Sequence, residues 1–305
     1  MTLVWLPFDP ADLGDAPTSL DYEVVDDISD LDALPASVDD VEVFVPPYSV
    51  GPQVRELIPR MRSLRIVQTL TAGVDNVRDV VPDGVLLCNG RGIHDTSTAE
   101  LALTLTLASL RGAPGWVRGQ DRSSWEPAWG DSLADREVLL VGYGAIGEAI
   151  EARLLPFECS VTRVARSARD GVHAFGDLPD LLPSADVVIL IVPLTDETRG
   201  LVDAEFLAAL PDGALLVNVA RGAVVDTDAL LAELTSGRLR AALDVTDPEP
   251  LPEDHPLWSA PGLLVSPHVG GASSAMWPRA HRLIRDQLHR IAAGEEPVNV
   301  MSGAY

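Results

Sequence analysis

The feature that most constrains this chain is the run Gly142-Tyr143-Gly144-Ala145-Ile146-Gly147, which follows the apolar stretch REVLLV and opens the segment AIGEAIEARLL. The spacing G-x-G-x-x-G alone is a weak signal, because glycines are common in turns. Between a strand and a helix it reads as a dinucleotide-binding turn rather than a plain connection. Gly142 permits the tight turn, Gly144 lets the backbone approach a pyrophosphate, and Gly147 lets helix and strand pack closely. The phosphates are then expected on the helix N-terminal amides, so all six residues, Tyr143, Ala145 and Ile146 included, are assigned to the cofactor.

A strand–turn–helix unit of this kind belongs in a parallel sheet, and the flanking sequence agrees. Strands are expected at SVTRVAR, 186–193, 214–220, 238–245 and 262–269, with helices around 203–210, at 226–237 and from Met276 to about Ala293, ended by Gly294. Before this series, 41–47, 64–70 and 84–90 read as buried strands, with a helix over 50–61. Alternation of this kind predicts two α/β units, the second the larger. A long apolar helix from Thr96 to about Leu110 separates them, with Thr96 or Ser97 as expected N-cap. The polar segment after it carries Trp116, Trp125 and Trp129, which either pack locally or meet another subunit.

Composition removes several functions. All 22 basic residues are arginine, so no lysine is present for a Schiff base or a Walker loop. A net charge of −24 argues against a nucleic-acid partner. No apolar run reaches the roughly 18 residues of a membrane span, and the acidic first residues do not read as a secretory signal. The only cysteines, Cys88 and Cys159, read as ordinary thiols, and a cytoplasmic location is expected. No His/Cys/Asp cluster has metal-ligand spacing, so no metal is expected.

The strand after the glycine turn bears on which dinucleotide is used. NAD sites place an acid about 20 residues on, to bind the ribose 2′-hydroxyl. Here the chain has Val164-Ala165-Arg166-Ser167-Ala168-Arg169. Arg166, Ser167 and Arg169 suit a 2′-phosphate, so NADP is the expected cofactor, with NAD as the alternative. The competing reading makes both arginines plain surface charges.

Three further segments sit at or just past expected strand ends: Asn218-Val219-Ala220-Arg221-Gly222, 244–252 (DVTDPEPLP) and Ser266-Pro267-His268-Val269-Gly270-Gly271. Ligands of open α/β sheets bind beyond those ends, so a guanidinium, a carboxylate and an imidazole converge there. Reduction of a 2-keto acid calls for that set. A cation holds the carboxylate and polarises the ketone, and an imidazole stabilised as its cation by a carboxylate gives up the proton.

In this order, and following GYGAIG, the segments closely resemble the D-isomer-specific 2-hydroxyacid dehydrogenase family, from about Leu64 to His268. The resemblance implies two doubly wound parallel-sheet domains. A Rossmann-type dinucleotide-binding domain (95–276) would be inserted in a flavodoxin-like substrate domain (1–94 and 277–305), with a cleft closing between them. It implies that Arg221 binds substrate carboxylate and carbonyl, that His268 is the general acid/base, and that Glu249 orients and charges His268. Asp244 would hold the nicotinamide carboxamide, with Val219, Ala220 and His268 also beside the cofactor. Val192, Pro193 and Leu194 would line its adenosine side. Thr71-Ala72-Gly73-Val74-Asp75-Asn76 resembles the turn whose amides hold the substrate carboxylate, giving Ala72, Gly73 and Val74 as substrate contacts, and Tyr48 is a candidate neighbour. Homodimers are usual in the family, with the long helix and the tryptophan segment at the interface.

The expected protein is an NAD(P)H-dependent oxidoreductase acting on a small 2-keto or 2-hydroxy acid, with a glyoxylate- or hydroxypyruvate-like substrate in the reductase direction. Glu249 disfavours the formate dehydrogenases, which carry Gln there. A phosphoglycerate dehydrogenase-like enzyme is the alternative within the family, disfavoured by the net charge and by the absence of a regulatory extension after Tyr305. A corepressor-like protein using the dinucleotide as a structural ligand is the alternative outside catalysis.

Overall fold

A computed structural model describes residues 1–48 and 51–301. The chain divides into two compact units, Met1–His94 with Ser274–Tyr305, and Asp95–Ser273. No described helix is long and apolar enough to cross a membrane.

The first unit is built on five parallel strands, β1 (Thr2–Leu6), β2 (Leu20–Val24), β3 (Val41–Phe44), β4 (Ile66–Gln68) and β5 (Leu86–Cys88), ordered β2-β1-β3-β4-β5. This is the flavodoxin-like order. The period-2 alternation of a strand divides its side chains between two cores. Val4, Leu6, Val43, Ile66 and Cys88 face the helix Met276–Ala292, while Trp5, Val41, Phe44, Val67 and Leu87 face Val54, Leu57 and Ile58. The helix expected over 50–61 is an α-helix over Gln53–Leu57 continued by a 3-10 turn over Ile58–Arg60, and Val50 lies outside the described residues. Neither β1 nor β2 was singled out in the sequence.

Helix Met276–Ala292 buries Met276, Ala280, Ile284, Gln287 and Leu288 along one face and is followed by Gly294 at φ 72°. Gln287 donates to Gln68 Oε1 (2.7 Å) and to the Val298 carbonyl (3.0 Å). The segment after it is bound to β5, with Met301 N donating to the Leu87 carbonyl at 2.8 Å.

The second unit holds seven parallel strands: β6 (Glu137–Val141), β7 (Ser160–Ala165), β8 (His173–Ala174), β9 (Val187–Leu190), β10 (Leu215–Asn218), β11 (Arg240–Leu243) and β12 (Leu263–Val265). Their order is β12-β11-β10-β9-β6-β7-β8, a doubly wound sheet whose order reverses between β6 and β9. Both faces are covered, which is why these strands read as continuous apolar runs. Leu139, Val141, Val188, Leu190, Leu216 and Leu243 belong to one core. Val138, Leu140, Val187, Ile189, Leu215 and Val217 pack in the other against helix Asp95–Arg111.

Two local expectations change. Thr96 and Ser97 fall inside the first turn of helix Asp95–Arg111 rather than ahead of it, and the Ser97 hydroxyl meets Ser273 Oγ at 2.6 Å. The tryptophan segment is not all loop: Trp116 lies on a helix over Ala113–Asp121, opened by Gly112 in the left-handed region and Pro114.

Candidate active site

The glycine turn follows β6 at the point where the strand order reverses. Each glycine has its own reason. Gly142 has φ 108°, and a Cβ there would lie 2.4 Å from the Ile191 carbonyl oxygen. A Cβ on Gly147 would lie 2.4 Å from the Gly142 carbonyl oxygen. Gly144 differs: a Cβ would meet nothing within 4 Å. The protein itself therefore does not require glycine at 144. Open space beside the first amides of helix Ala145–Leu154 fits a bound pyrophosphate.

Arg166, Ser167 and Arg169 follow β7, the neighbour of β6, and are exposed. Arg169 donates to the Tyr143 carbonyl and lies over the Tyr143 ring at 5.7 Å. Val192, Pro193 and Leu194 follow β9. Val192 is buried in the core, so its backbone rather than its side chain is left to face a ligand, whereas Pro193 is exposed. The Thr198 hydroxyl holds this turn by donating to the Pro193 carbonyl at 2.6 Å.

Arg221, Glu249 and His268 come from the connections after β10, β11 and β12, three adjacent strands about 4.8 Å apart. His268 Nδ1 and Glu249 Oε1 are 2.5 Å apart, in side chains 47% and 40% exposed, so the pair is open to a substrate. Arg221 donates from Nη1 to the Ala220 carbonyl at 2.8 Å. Its turn is shaped by Asn218, fully buried, whose Nδ2 donates to the Arg221 carbonyl and whose Oδ1 accepts from Ala220 N. A Cβ on Gly222 would lie 1.9 Å from the Thr246 carbonyl oxygen, so only glycine lets the Arg221 turn approach the connection that carries Glu249. Val219 and Ala220 are buried.

Asp244 is 3% exposed and anchors the His268 turn. Its Oδ1 accepts from Ser266 Oγ (2.6 Å) and Val269 N (2.9 Å), and its Oδ2 accepts from Gly270 N (2.8 Å). His268 N donates to the Asp244 carbonyl at 2.8 Å. Between these ties His268 is held at φ 51°, a left-handed conformation that costs a non-glycine residue about 1–2 kcal/mol. Asn218, Gly222, Ser266 and Gly270 thus position the site without having been given roles from the sequence. Their only signal there was membership of the three strand-end segments.

The substrate candidates lie in the first unit. Ala72, Gly73 and Val74 form a turn after β4, in which Thr71 Oγ1 donates to the Gly73 carbonyl (2.7 Å) and Asn89 Nδ2 to the Ala72 carbonyl (3.0 Å). Tyr48 is half-buried with its ring 5.5 Å from that of His94, whose Nε2 meets the Leu70 carbonyl at 2.9 Å.

A doubly wound sheet with a glycine turn at its switch point, and an imidazole–carboxylate pair past neighbouring strand ends, defines a dinucleotide-dependent oxidoreductase. Residues 103–270 match the family model described as "D-isomer specific 2-hydroxyacid dehydrogenase, NAD binding domain". The glyoxylate reductase of Thermococcus kodakarensis is 31% identical over 290 residues, 89% of this chain and 86% of that one. The glyoxylate reductase/hydroxypyruvate reductase of Mus musculus is 34% identical over 227 residues, 69% of each chain. A solved D-isomer specific 2-hydroxyacid dehydrogenase from Xanthobacter autotrophicus Py2, in complex with NADPH and MES, superposes with a TM-score of 0.82 at 31% identity, covering 99% of this chain and 98% of that one. The chain belongs to the D-isomer-specific 2-hydroxyacid dehydrogenase family, and its activity is nicotinamide-dependent interconversion of 2-keto and 2-hydroxy acids.

Proposed function

We propose that the protein is an NADP-preferring reductase of a short 2-keto acid of the glyoxylate or hydroxypyruvate type. The second unit would be its dinucleotide-binding domain and the first its substrate-binding domain. The 2.5 Å pairing of His268 with Glu249 carries this reading. A bound reduced nicotinamide supplies the hydride. Glu249 on Nδ1 leaves His268 Nε2 as the proton-bearing atom turned to substrate, and that nitrogen protonates the carbonyl oxygen as the carbonyl carbon is reduced. Arg221 holds the carboxylate and draws electron density from the ketone. Ala72, Gly73, Val74 and Tyr48 are the proposed remaining substrate contacts. The carboxylate of Asp244 accepts three hydrogen bonds from the His268 turn and has capacity for about one more, which suits a carboxamide.

The exposed arginines after β7, without an acid among 164–169, support NADP over NAD. The NADPH-bound relative agrees. Two buried free thiols support a reducing, cytoplasmic compartment. Trp125 and Trp129 are 95% and 104% exposed beside Trp116 and Val117, a surface that suits a second copy of the chain. The expected assembly is a homodimer, and a monomer by light scattering refutes it.

The test is a steady-state panel of glyoxylate, hydroxypyruvate, pyruvate, phenylpyruvate and 3-phosphohydroxypyruvate with NADPH and NADH. Turnover is expected with the first two and NADPH. Activity confined to the phosphorylated acid refutes the substrate assignment, and a higher kcat/KM with NADH refutes the cofactor assignment. Tight cofactor binding without any turnover points to a binding protein. His268→Ala should lower kcat by about 10²–10⁴-fold.

A further inference from the structure

Tyr143 occupies one of the non-glycine positions of the glycine turn, and its side chain is tied at its hydroxyl and at its ring. Its hydroxyl donates to Glu151, a residue 6% exposed on helix Ala145–Leu154. The other oxygen of Glu151 accepts from Arg163 Nε at 2.6 Å. Arg163 stands on β7, opposite Leu140 of β6, with its guanidinium 5.4 Å from the centre of the Tyr143 ring. Its Nη1 also reaches the Gly171 carbonyl at 3.5 Å. Burying a carboxylate costs free energy unless it is paired and hydrogen-bonded, and a phenol and a guanidinium together satisfy Glu151.

Arg169 is the end of this chain of contacts. Its backbone is fixed by a two-bond pairing with Val172, Arg169 N to Val172 O at 3.0 Å and Val172 N to Arg169 O at 2.9 Å. Its guanidinium rests against the ring and carbonyl of Tyr143. Arg169 is an exposed residue, past the end of the strand next to the glycine turn.

We infer that Tyr143 is a positioning residue for cofactor selectivity: held by Glu151 and Arg163, it sets the Arg169 guanidinium for the ribose 2′-phosphate of NADP. The inference rests on the proposed NADP preference. An arginine on the surface samples many rotamers, and one already held in place loses less freedom when it binds an anion. Ring face and carbonyl together restrict Arg169 while leaving part of its fork of donors for a phosphate. Tyr143 thus acts through Arg169, on one phosphate group, and not on the pyrophosphate that the glycine turn receives.

Isothermal titration with adenosine 2′,5′-bisphosphate and with 5′-AMP separates the two, and needs no turnover. Wild type should favour the bisphosphate strongly, and Arg169→Gln should abolish most of that preference. Tyr143→Leu should weaken the bisphosphate about five- to twentyfold but 5′-AMP twofold or less. Tyr143→Phe, which keeps the ring against both guanidiniums, should restore most of the difference. If wild type shows no preference, the NADP assignment itself fails. If wild type and Arg169→Gln behave as expected but Tyr143→Leu weakens both ligands equally, or neither, Tyr143 is only structural and the inference is overturned.

Discussion

Replacing Asp244 with asparagine keeps its shape and removes its charge, which isolates what the carboxylate does for the His268 turn. Three donors converge on it, Ser266 Oγ and the amides of Val269 and Gly270, at 2.6, 2.9 and 2.8 Å. The asparagine oxygen can keep Ser266 and Val269, which leaves its amide group facing the Gly270 N–H. A buried donor left unsatisfied costs about 1–3 kcal/mol, and each surviving bond falls from charge-assisted toward neutral strength, about 0.5–1 kcal/mol less. The sum is about 2–5 kcal/mol. That exceeds the roughly 1–2 kcal/mol needed to hold a left-handed histidine, so the turn is free to leave the observed geometry. Asp244→Asn should therefore lower both the urea unfolding midpoint and kcat, the latter about 10- to 100-fold. Ser266→Ala, which removes one charge-assisted bond, should cost about 1.5–3 kcal/mol. An unfolding curve within about 0.5 kcal/mol of wild type, with kcat unchanged and only the cofactor KM raised, would falsify the clamp and leave Asp244 to the carboxamide alone.

Gly222→Ala forces a Cβ to 1.9 Å from the Thr246 carbonyl oxygen, so the Arg221 and Glu249 connections must part. The expected cost is about 2–4 kcal/mol with a large loss of kcat, and an active variant of normal stability refutes that account. Burial pushes the Cys88 thiol up to about 11 and raises that of Cys159 as well. Native protein at pH 8 should accordingly show no fast reaction with Ellman's reagent and two thiols in guanidinium; one rapid native thiol is the contrary result. The Arg238 guanidinium, bonded to Glu233 at 2.6 Å, holds that carboxyl below its ordinary value. Folding stability from this pair is present above the unfolded glutamate value of about 4.3 and is lost as pH falls through the lower folded value. Glu233→Gln should flatten that part of the acid limb, and an unchanged pH profile counts against it.

The parts of the molecule legible in the sequence are those where one residue type answers one local demand. Gly142, Gly147 and the apolar strands are of this kind, because backbone crowding and burial act on the residue itself. So are His268 and Glu249, recognisable through spaced segments and found 2.5 Å apart. Ser266 was opaque because its partner Asp244 lies just past the end of another strand, and only the sheet brings the two together; Asn218 bonds within its own turn, to Ala220 and Arg221, and is an ordinary polar residue until that turn is folded. Strand β1 escaped because TLVWL has no periodic context before it, and its place between β2 and β3 is what makes it an interior strand. Helix Ala113–Asp121 was hidden by Gly112, Gly115 and Gly119, residues that argue against a helix.

The chain order of the first unit bears on how the protein is made. Its sheet is drawn from residues 2–88, yet one of its faces is covered by a helix of residues 276–292, and β5 is bound by residue 301. On a ribosome adding about 5–20 residues each second, the first five strands emerge with that face bare. They must wait on the order of ten seconds or more for their lid, while the second unit, contiguous in the chain, can close first. The sheet of the first unit is thus begun before the second unit and finished after it, and Val4, Leu6, Val43 and Ile66 are the surface a chaperone would meet in the interval.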